Sequence, residues 1–123
     1  MMAKGKKYVS WKQVNKFVTV LSRDLELQRC IAQGEVKSVY GIPRGGLCLA
    51  VMISHKLKLP LDIEPRETSL IVDDISDTGD TLLKFKDHKV ATMFWHKLTR
   101  SSPDFSLYEK KGAWIVFPWE LEP

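Results

Sequence analysis

The 123-residue sequence has little of what marks several common protein classes. Its two cysteines, Cys30 and Cys48, are too few for a disulfide framework and lack the spacing of metal ligands. We expect them to be small buried apolar side chains in a reducing compartment. The longest apolar run, Leu47–Ile53, is too short to cross a bilayer. No hydrophobic stretch follows the basic start Met1–Tyr8, so no signal peptide is predicted, and the expected location is the cytoplasm.

Repeats and low-complexity tracts are absent as well, and the composition is that of an ordinary globular protein. Hydrophobic residues make up 44% and charged residues 28%, which argues against disorder. The length fits a single domain over residues 1–123, with residues 1–7 expected to be flexible. The formal net charge of +4 suits an anionic small ligand, but it is too small to indicate nucleic-acid binding by itself.

Helical and strand patterns alternate along the chain. Ser10 and Gln13 have the spacing of a capping box, which predicts a helix over residues 11–22 that continues or restarts through Leu25–Ala32. Further helical patterns occur at Leu47–Lys56 and Thr78–Phe85. Strand patterns occur at Val36–Ile42, Leu61–Ile63, Ser69–Val72, Val90–Trp95 and Ala113–Phe117. This alternation predicts an α/β fold of three layers, α/β/α, with a mainly parallel central sheet and helices on both faces.

One string carries most of the functional information. The hydrophobic segment Leu70–Val72 runs into Asp73 and Asp74, and a polar turn with a glycine follows at Asp77–Thr81. Ligands of open α/β sheets bind beyond the carboxyl ends of the strands. The turn offers hydroxyl groups and the start of an expected helix to a phosphate, while the carboxylates suit sugar hydroxyls or a hard cation. The string therefore predicts a ribose phosphate site.

Each of these residues also has a simpler structural interpretation. Asp77 alone would serve as a helix N-cap, and Asp73 and Asp74 alone would end a strand. The agreement of strand, carboxylates, glycine turn and helix start within one string favours the ligand site.

The string resembles the phosphoribosyl-pyrophosphate (PRPP) signature of type I phosphoribosyltransferases. Upstream, Val39–Leu47 contains Arg-Gly-Gly after a strand and resembles the family's pyrophosphate loop, where the bond entering the arginine is often cis; Pro43–Arg44 is the corresponding bond. Weaker similarities point to the xanthine–guanine branch in a shortened form, at Tyr8–Trp11, Met93–Lys97 and Ala113–Glu120.

The resemblance implies an enzyme that transfers the ribose 5-phosphate of PRPP to guanine, xanthine or hypoxanthine and releases pyrophosphate. Its implied cofactor is Mg²⁺, its partners are PRPP and the purine base, and a homodimer is the family's frequent assembly. The implied site residues are Asp77 as catalytic acid or base; Asp77, Thr78, Gly79, Asp80 and Thr81 at the 5-phosphate; Asp73 and Asp74 at the ribose; Asp74 at the metal; Arg44, Gly45 and Gly46 at the pyrophosphate; and Lys97, Trp114 and Ile115 at the base. A solvated Lys97 and a core role for Trp114 and Trp119 are the open alternatives.

The sequence departs from the family pattern at one place. Family members carry a mobile loop and hairpin, a flexible hood, before the PRPP strand, whereas here only Glu64–Thr68 separate the two strand patterns. Five residues span at most about 18 Å, so the hood is expected to be truncated and the active site open. This departure leaves a second function open, that of a regulatory protein that binds PRPP or a nucleotide with little or no turnover. No aromatic and basic patch of an RNA module is present, so nucleic acid is not predicted as a partner.

Overall fold

The structure, a computed structural model, describes residues 5–121. Its elements follow in the order β1 (Lys6–Tyr8), α1 (Trp11–Ser22), α2 (Leu25–Ala32), β2 (Ser38–Gly41), α3 (Leu47–Leu57), β3 (Ser69–Ser76), a 3₁₀ turn (Leu82–Phe85), β4 (Val90–Trp95), β5 (Phe105–Glu109) and β6 (Trp114–Val116). One sheet has the strand order β2-β3-β4-β5 with every pair parallel, and β1 and β6 form a second parallel pair. This arrangement confirms the predicted α/β fold with a mainly parallel sheet. Within residues 5–121, no helix is long and apolar enough to cross a bilayer.

The capping box predicted at the start of α1 is present. The backbone N–H of Gln13 donates to Oγ of Ser10 at 3.2 Å, and the backbone N–H of Ser10 donates to Oε1 of Gln13 at 3.0 Å. The apolar side of α1 buries Phe17 and packs against α3, which covers β2 and β3. Helices α1, α2 and α3 thus share one hydrophobic core with the sheet.

The side chains of β3 alternate between two cores. Leu70 and Val72 face the larger core with the α-helices, whereas Ile71 packs with Leu82 and Phe85 of the 3₁₀ turn. All three β3 side chains are fully buried, so this strand needs cover on both faces, as strands of parallel sheets do. The second face is covered by the short 3₁₀ turn, which makes that layer thin.

Two short strands lie where the sequence pattern did not predict them. The prediction of a flexible start is wrong for Lys6 and Lys7, because β1 pairs in parallel with β6; residues 1–4 lie outside the described residues. Strand β5 lies between the strand patterns at Val90–Trp95 and Ala113–Phe117, where no strand was predicted, and it pairs in parallel with β4. Its inward side chain Phe105 is buried, but the five-residue strand is too short to give a clear alternating pattern.

The connection between α3 and β3 is as short as the sequence indicated. Leu61 makes a single parallel bridge to Val39 of β2, and residues 62–68 return to β3 without a hairpin. Asp62 anchors this return: its side chain is only 6% exposed and accepts a hydrogen bond from the Ser69 hydroxyl at 2.6 Å. The hood is therefore absent from the described part of the chain.

The chain changes direction across the sheet between β2 and β3. After β2 the chain runs through α3 to Leu61, which pairs with β2 on the edge away from β3. After β3 the chain continues to β4 and β5, which lie on the side of β3 away from β2. The loops that follow β2 and β3 therefore diverge and leave a cleft at the carboxyl ends of the strands. Such a switch point is where open α/β sheets bind their ligands.

Candidate active site

Strand β3 is longer than β2, and this difference places two carboxylates in the cleft. Pairing with β2 ends at Val72, which lies opposite Gly41, while pairing with β4 continues to Ser76. Asp73 and Asp74 thus lie just beyond the end of β2, and both are half-buried. The sequence predicted this pair at the end of a strand, and the strand pairing shows why one side of it is open.

The two carboxyl groups are unfavourable as a pair of charges. Burial, and after it repulsion from Asp74, raises the pKa of Asp73 to about 8. Burial also raises the pKa of Asp74, and the negative charge of Glu120 adds to the effect. A ligand that supplies hydroxyl donors or a positive charge would stabilise the ionised pair, because it compensates the charge that burial disfavours.

The loop after β2 brings backbone against these carboxylates. Its Pro43–Arg44 bond is cis, which confirms the prediction from sequence. Gly45 lies so close to Asp74 that a Cβ there would overlap the carboxylate, and a Cβ at Gly46 would overlap the carbonyl of Val72. The two glycines are therefore required for the close approach of loop and strand.

A cavity of about 790 Å³ opens beside this loop, and we call it the loop cavity. Arg44, Gly45, Asp74, Trp119 and Glu120 are among the residues that line it. The amide of Gly46 already donates to the Ile42 carbonyl at 2.9 Å. Arg44 and Gly45 are thus the groups that the loop offers to a ligand.

The polar turn after β3 encloses a small cavity of about 100 Å³, the turn cavity. Of the five residues predicted around a phosphate, four line it, namely Asp77, Thr78, Gly79 and Thr81. The fifth, Asp80, is exposed and forms an ion pair with Arg100 at 3.3 Å. Two threonines, Gly79 and Asp77 of the turn therefore line the cavity, while Asp80 forms its ion pair outside this lining.

The loop after β4 holds the turn in position. The Arg100 amide donates to the Thr78 carbonyl at 2.7 Å, and the Ser76 and Thr99 hydroxyls lie 2.7 Å apart. Gly79 has a φ of +87° and packs so tightly against Thr99 that a Cβ would overlap its hydroxyl. Positive φ and close packing both require glycine there.

The turn does not lead into the α-helix that the pattern predicted over Thr78–Phe85. Only Leu82–Phe85 is helical, as one turn of 3₁₀ helix. Gly79, inside the predicted stretch, has a φ of +87°, which interrupts a right-handed helix there. The predicted contribution of a helix N-terminus to anion binding is therefore wrong, and the groups of the turn itself remain.

We expect Gly79→Ala to destabilise the protein by about 2–4 kcal/mol, because it combines left-handed strain with a steric overlap. Gly34→Ala is the matched control: Gly34 has a φ of +77°, but a Cβ there would meet only the flexible Lys37 side chain at 3.4 Å. The control should lose only about 1–2 kcal/mol, the cost of the left-handed conformation. Urea unfolding of the two variants measures the difference, and equal losses would show that the turn has room for a side chain.

A third cavity, of about 110 Å³, lies between the turn and β6, and we call it the β6 cavity. Trp114 and Ile115, two of the three residues predicted at the base, line it, and Trp114 is 66% exposed. The third, Lys97, is exposed in the turn after β4 and is not among the lining residues. Asp74 and Asp77 also line this cavity.

Lys110 is the main residue of the site that the sequence did not reveal. Its backbone amide donates to the Trp95 carbonyl at 2.7 Å, which extends the pairing of β5 with β4. Its side chain is 14% exposed, and its ammonium donates to Oδ2 of Asp77 at 3.0 Å. The ammonium also lies 5.9 Å from the centre of the Trp114 ring, within the range of a cation–π contact. Only the register of β5 on β4 decides that Lys110, and not Lys111, points into the site.

The three cavities are neighbours that share lining residues. Asp74 lines both the loop cavity and the β6 cavity, and Ile75 and Asp77 line both the turn cavity and the β6 cavity. The cleft thus brings together an arginine–glycine loop, a half-buried carboxylate pair, a hydroxyl-rich turn and an accessible tryptophan. The parallel sheet, with these groups at the carboxyl ends of its strands, is an α/β fold of the phosphoribosyltransferase type.

Comparison with known proteins supports the same class. No protein-family model matches the chain. A curated relative, the xanthine-guanine phosphoribosyltransferase of Nitratidesulfovibrio vulgaris, is 28% identical over 142 aligned positions, which cover 93% of this chain and 84% of the relative. That alignment is longer than the chain itself, so the relative contains segments that this chain lacks. The chain is therefore similar to xanthine-guanine phosphoribosyltransferases in a shortened form, as its motifs indicated.

Solved structures agree with the sequence relatives. A purine phosphoribosyltransferase from Pyrococcus horikoshii has a TM-score of 0.77 and 28% identity, and the match covers 96% of this chain and 95% of that chain. The fold is also that of the xanthine-guanine-hypoxanthine phosphoribosyltransferase of Helicobacter pylori, with a TM-score of 0.74, 23% identity and 94% of each chain covered.

Proposed function

We propose that this protein is a purine phosphoribosyltransferase, which transfers the ribose 5-phosphate of PRPP to a purine base and releases pyrophosphate. The observation that carries the proposal is that neighbouring cavities share the carboxylate pair, since Asp73 lines the turn cavity and Asp74 lines both the loop cavity and the β6 cavity. In the proposal the turn takes the 5-phosphate, the carboxylate pair takes the ribose, the arginine–glycine loop takes the pyrophosphate and the tryptophan takes the base. The ribose is bonded to each of the other three groups before or after the reaction, which fits the central position of the carboxylates. The 28% identical relatives with purine phosphoribosyltransferase names support the same activity.

In this proposal hydrogen-bond donors hold the two anionic ends of PRPP. Thr78, Gly79 and Thr81 bind the 5-phosphate through hydroxyl and amide donors, and Arg44 with the Gly45 amide binds the pyrophosphate. Asp73 and Asp74 accept hydrogen bonds from the ribose hydroxyls between them. The enzyme contributes mainly by fixing the reacting atoms in line and by stabilising charge.

Bond formation at C1 of the ribose then needs a proton acceptor beside the base. The bond to pyrophosphate breaks, positive charge develops on the ribose, and a ring nitrogen of the base forms the new bond. Asp77 lies between the turn cavity and the β6 cavity, so it is the carboxylate that reaches both ribose phosphate and base. We assign it the role of acid or base at a purine nitrogen.

The residues present fit Mg²⁺ as a cofactor that arrives with the substrate. Residues 5–121 contain no cluster of three or more histidine, cysteine, aspartate or glutamate side chains placed to hold a metal. Mg²⁺ commonly binds one or two carboxylates together with substrate phosphates and water, and Asp74 beside Gly45 is the carboxylate that would hold it. When bound, the ion would neutralise charge on the departing pyrophosphate.

The first experiment is pyrophosphate release from PRPP and Mg²⁺ with guanine, xanthine, hypoxanthine and adenine in turn. We expect base-dependent release with at least one 6-oxopurine, even though residues 62–68 form no hood over the cleft. No release with any base, together with PRPP binding in calorimetry, would contradict the enzyme and favour the regulatory protein. The homodimer and the cytoplasmic location implied by the sequence stay predictions; light scattering tests the first, and fractionation of cells tests the second.

A further inference from the structure

No hood covers the cleft in residues 5–121. Residues 62–68 return to β3 without a hairpin, and Ile63, which follows the bridge from Leu61 to Val39, is 95% exposed. Enzymes that form a reactive intermediate commonly exclude water by closing a loop over the site. The short connection before β3 does not provide such a loop.

The groups beside the proposed position of the base are accessible as well. Trp114 is 66% exposed, and the Asp77 side chain is 48% exposed although it accepts a hydrogen bond from the Lys110 ammonium at 3.0 Å. Both residues line the β6 cavity, which at about 110 Å³ has room for several water molecules when no base is bound. A carboxylate has about four acceptor positions on its two oxygens, so Asp77 keeps acceptor capacity for one of these waters.

Water in the β6 cavity competes with the base for the same carbon atom. If the proposed function holds, positive charge develops on the ribose as the bond to pyrophosphate breaks, and water is a nucleophile for such a carbon. Asp73 and Asp74, the carboxylates assigned to the ribose, lie in strand β3 and not in a loop that a base would have to order. PRPP therefore meets the same carboxylates with and without a base.

We propose that the protein also hydrolyses PRPP to ribose 5-phosphate and pyrophosphate when no base occupies the β6 cavity. The oxygen of a water forms a bond to C1 of the ribose, and the bond from C1 to the pyrophosphate oxygen breaks, with its electron pair remaining on pyrophosphate. One proton of the water passes to Asp77 and from there to solvent, to which this half-exposed carboxylate has access. This inference rests on the proposed function, because it uses the site assigned to PRPP.

The test measures pyrophosphate release from PRPP and Mg²⁺ by the wild-type protein without any base. We expect release at least about 100-fold faster than in the same solution without protein, which is the lower end of the effect of a positioned acid or base. In water enriched in ¹⁸O, the pyrophosphate should carry no ¹⁸O, because the water attacks carbon and not phosphorus. Labelled pyrophosphate, or release no faster than without protein, would overturn the proposal.

Two further comparisons tie the reaction to the cleft. Asp77→Asn should lower release without base by about 100-fold or more, whereas the control Asp87→Asn, at an exposed carboxylate on the turn before β4, should match the wild type. Saturating GMP should suppress release by the wild type, because its phosphate, ribose and base occupy the turn, the carboxylates and the β6 cavity; this comparison carries the test if Asp77→Asn does not fold. Release that neither Asp77→Asn nor GMP lowers would overturn the proposal.

Base-free and base-dependent release separate this proposal from the proposed function. Release only in the presence of a base would overturn the hydrolysis and leave the transferase standing. Release without base that no purine base increases, with ribose 5-phosphate as the only sugar product, would overturn the transferase and leave the hydrolysis standing. No release under either condition would overturn both.

Discussion

Asp73→Asn is expected to make the protein more stable and much less active. Burial and the neighbouring Asp74 raise the pKa of Asp73 to about 8, so the folded wild type binds a proton that the unfolded chain releases near pH 4. Between these values the folded state holds more protons, and the stability of the wild type therefore falls as pH rises from about 4 to 8. Asparagine has no charge to bury, so we expect the free energy of unfolding of Asp73→Asn to exceed that of the wild type by about 2 kcal/mol at pH 8. This gain is well below the energy equivalent of the full pKa shift, because the titrations of Asp73 and Asp74 are coupled.

The loss of activity comes from the same carboxylate. An acceptor for the ribose hydroxyls is weakened, and a charge that faces the developing positive charge on the ribose is removed. We expect kcat/KM to fall by about 100-fold. Urea unfolding at pH 5 and pH 8 and the pyrophosphate assay measure the two effects, with Asp87→Asn as the control because Asp87 is an exposed carboxylate on the turn before β4. A wild-type stability that does not change between pH 4 and 8, or a destabilised Asp73→Asn, would contradict this account.

The second large effect is expected for Asp77→Asn. Asp77 lies where the turn cavity and the β6 cavity meet, and asparagine keeps its shape but cannot accept a proton. Loss of a general acid or base lowers kcat by about 10²- to 10⁴-fold, and binding of PRPP should change far less because Thr78, Gly79 and Thr81 remain. Single-turnover kinetics and calorimetry with PRPP separate these two quantities.

Lys110, the ion-pair partner of Asp77, provides an internal control for this variant. Asp77→Asn removes the charge that pairs with the Lys110 ammonium, so this variant should also lose some stability. The double variant Asp77→Asn with Lys110→Met should recover that stability but not the turnover. If Asp77→Asn retains a kcat within a few-fold of wild type, Asp77 is not the catalytic acid or base, whatever its effect on stability.

The features that the sequence predicted correctly are those that depend only on residues close together in the chain. Asp73 and Asp74 follow an unbroken hydrophobic strand, and the residues of the turn follow them directly, so their common position at the end of β3 needs no long-range information. The capping box of α1 is equally local, since Ser10 and Gln13 are one helical turn apart. The absence of the hood followed from counting the few residues before Ser69, because the length of a connection limits what it can form.

The features that the sequence did not reveal depend on what packs against what. The helical pattern at Thr78–Phe85 gave way to one 3₁₀ turn, because Gly79 has a φ of +87° and packs against the loop after β4, which the pattern does not show. Lys6 and Lys7 became a strand only because β6 offers them a partner, and β5 formed because the edge of β4 was open.

The sequence by itself thus determined the class of fold and the chemical groups of the candidate site: paired carboxylates, an arginine–glycine loop and a hydroxyl-rich turn, each a contiguous motif at the end of a strand. The tertiary structure alone decided how these motifs come together at one cleft and which cation lies beside Trp114. Lys110 and Lys97 have the same chemistry in the sequence, and only the pairing of β5 with β4 brings the first within 3.0 Å of Asp77 while the second faces solvent. The conformation of a short motif depends on residues that are adjacent in the chain, whereas the position of a charged side chain in a cleft depends on the pairing of strands that are far apart in sequence.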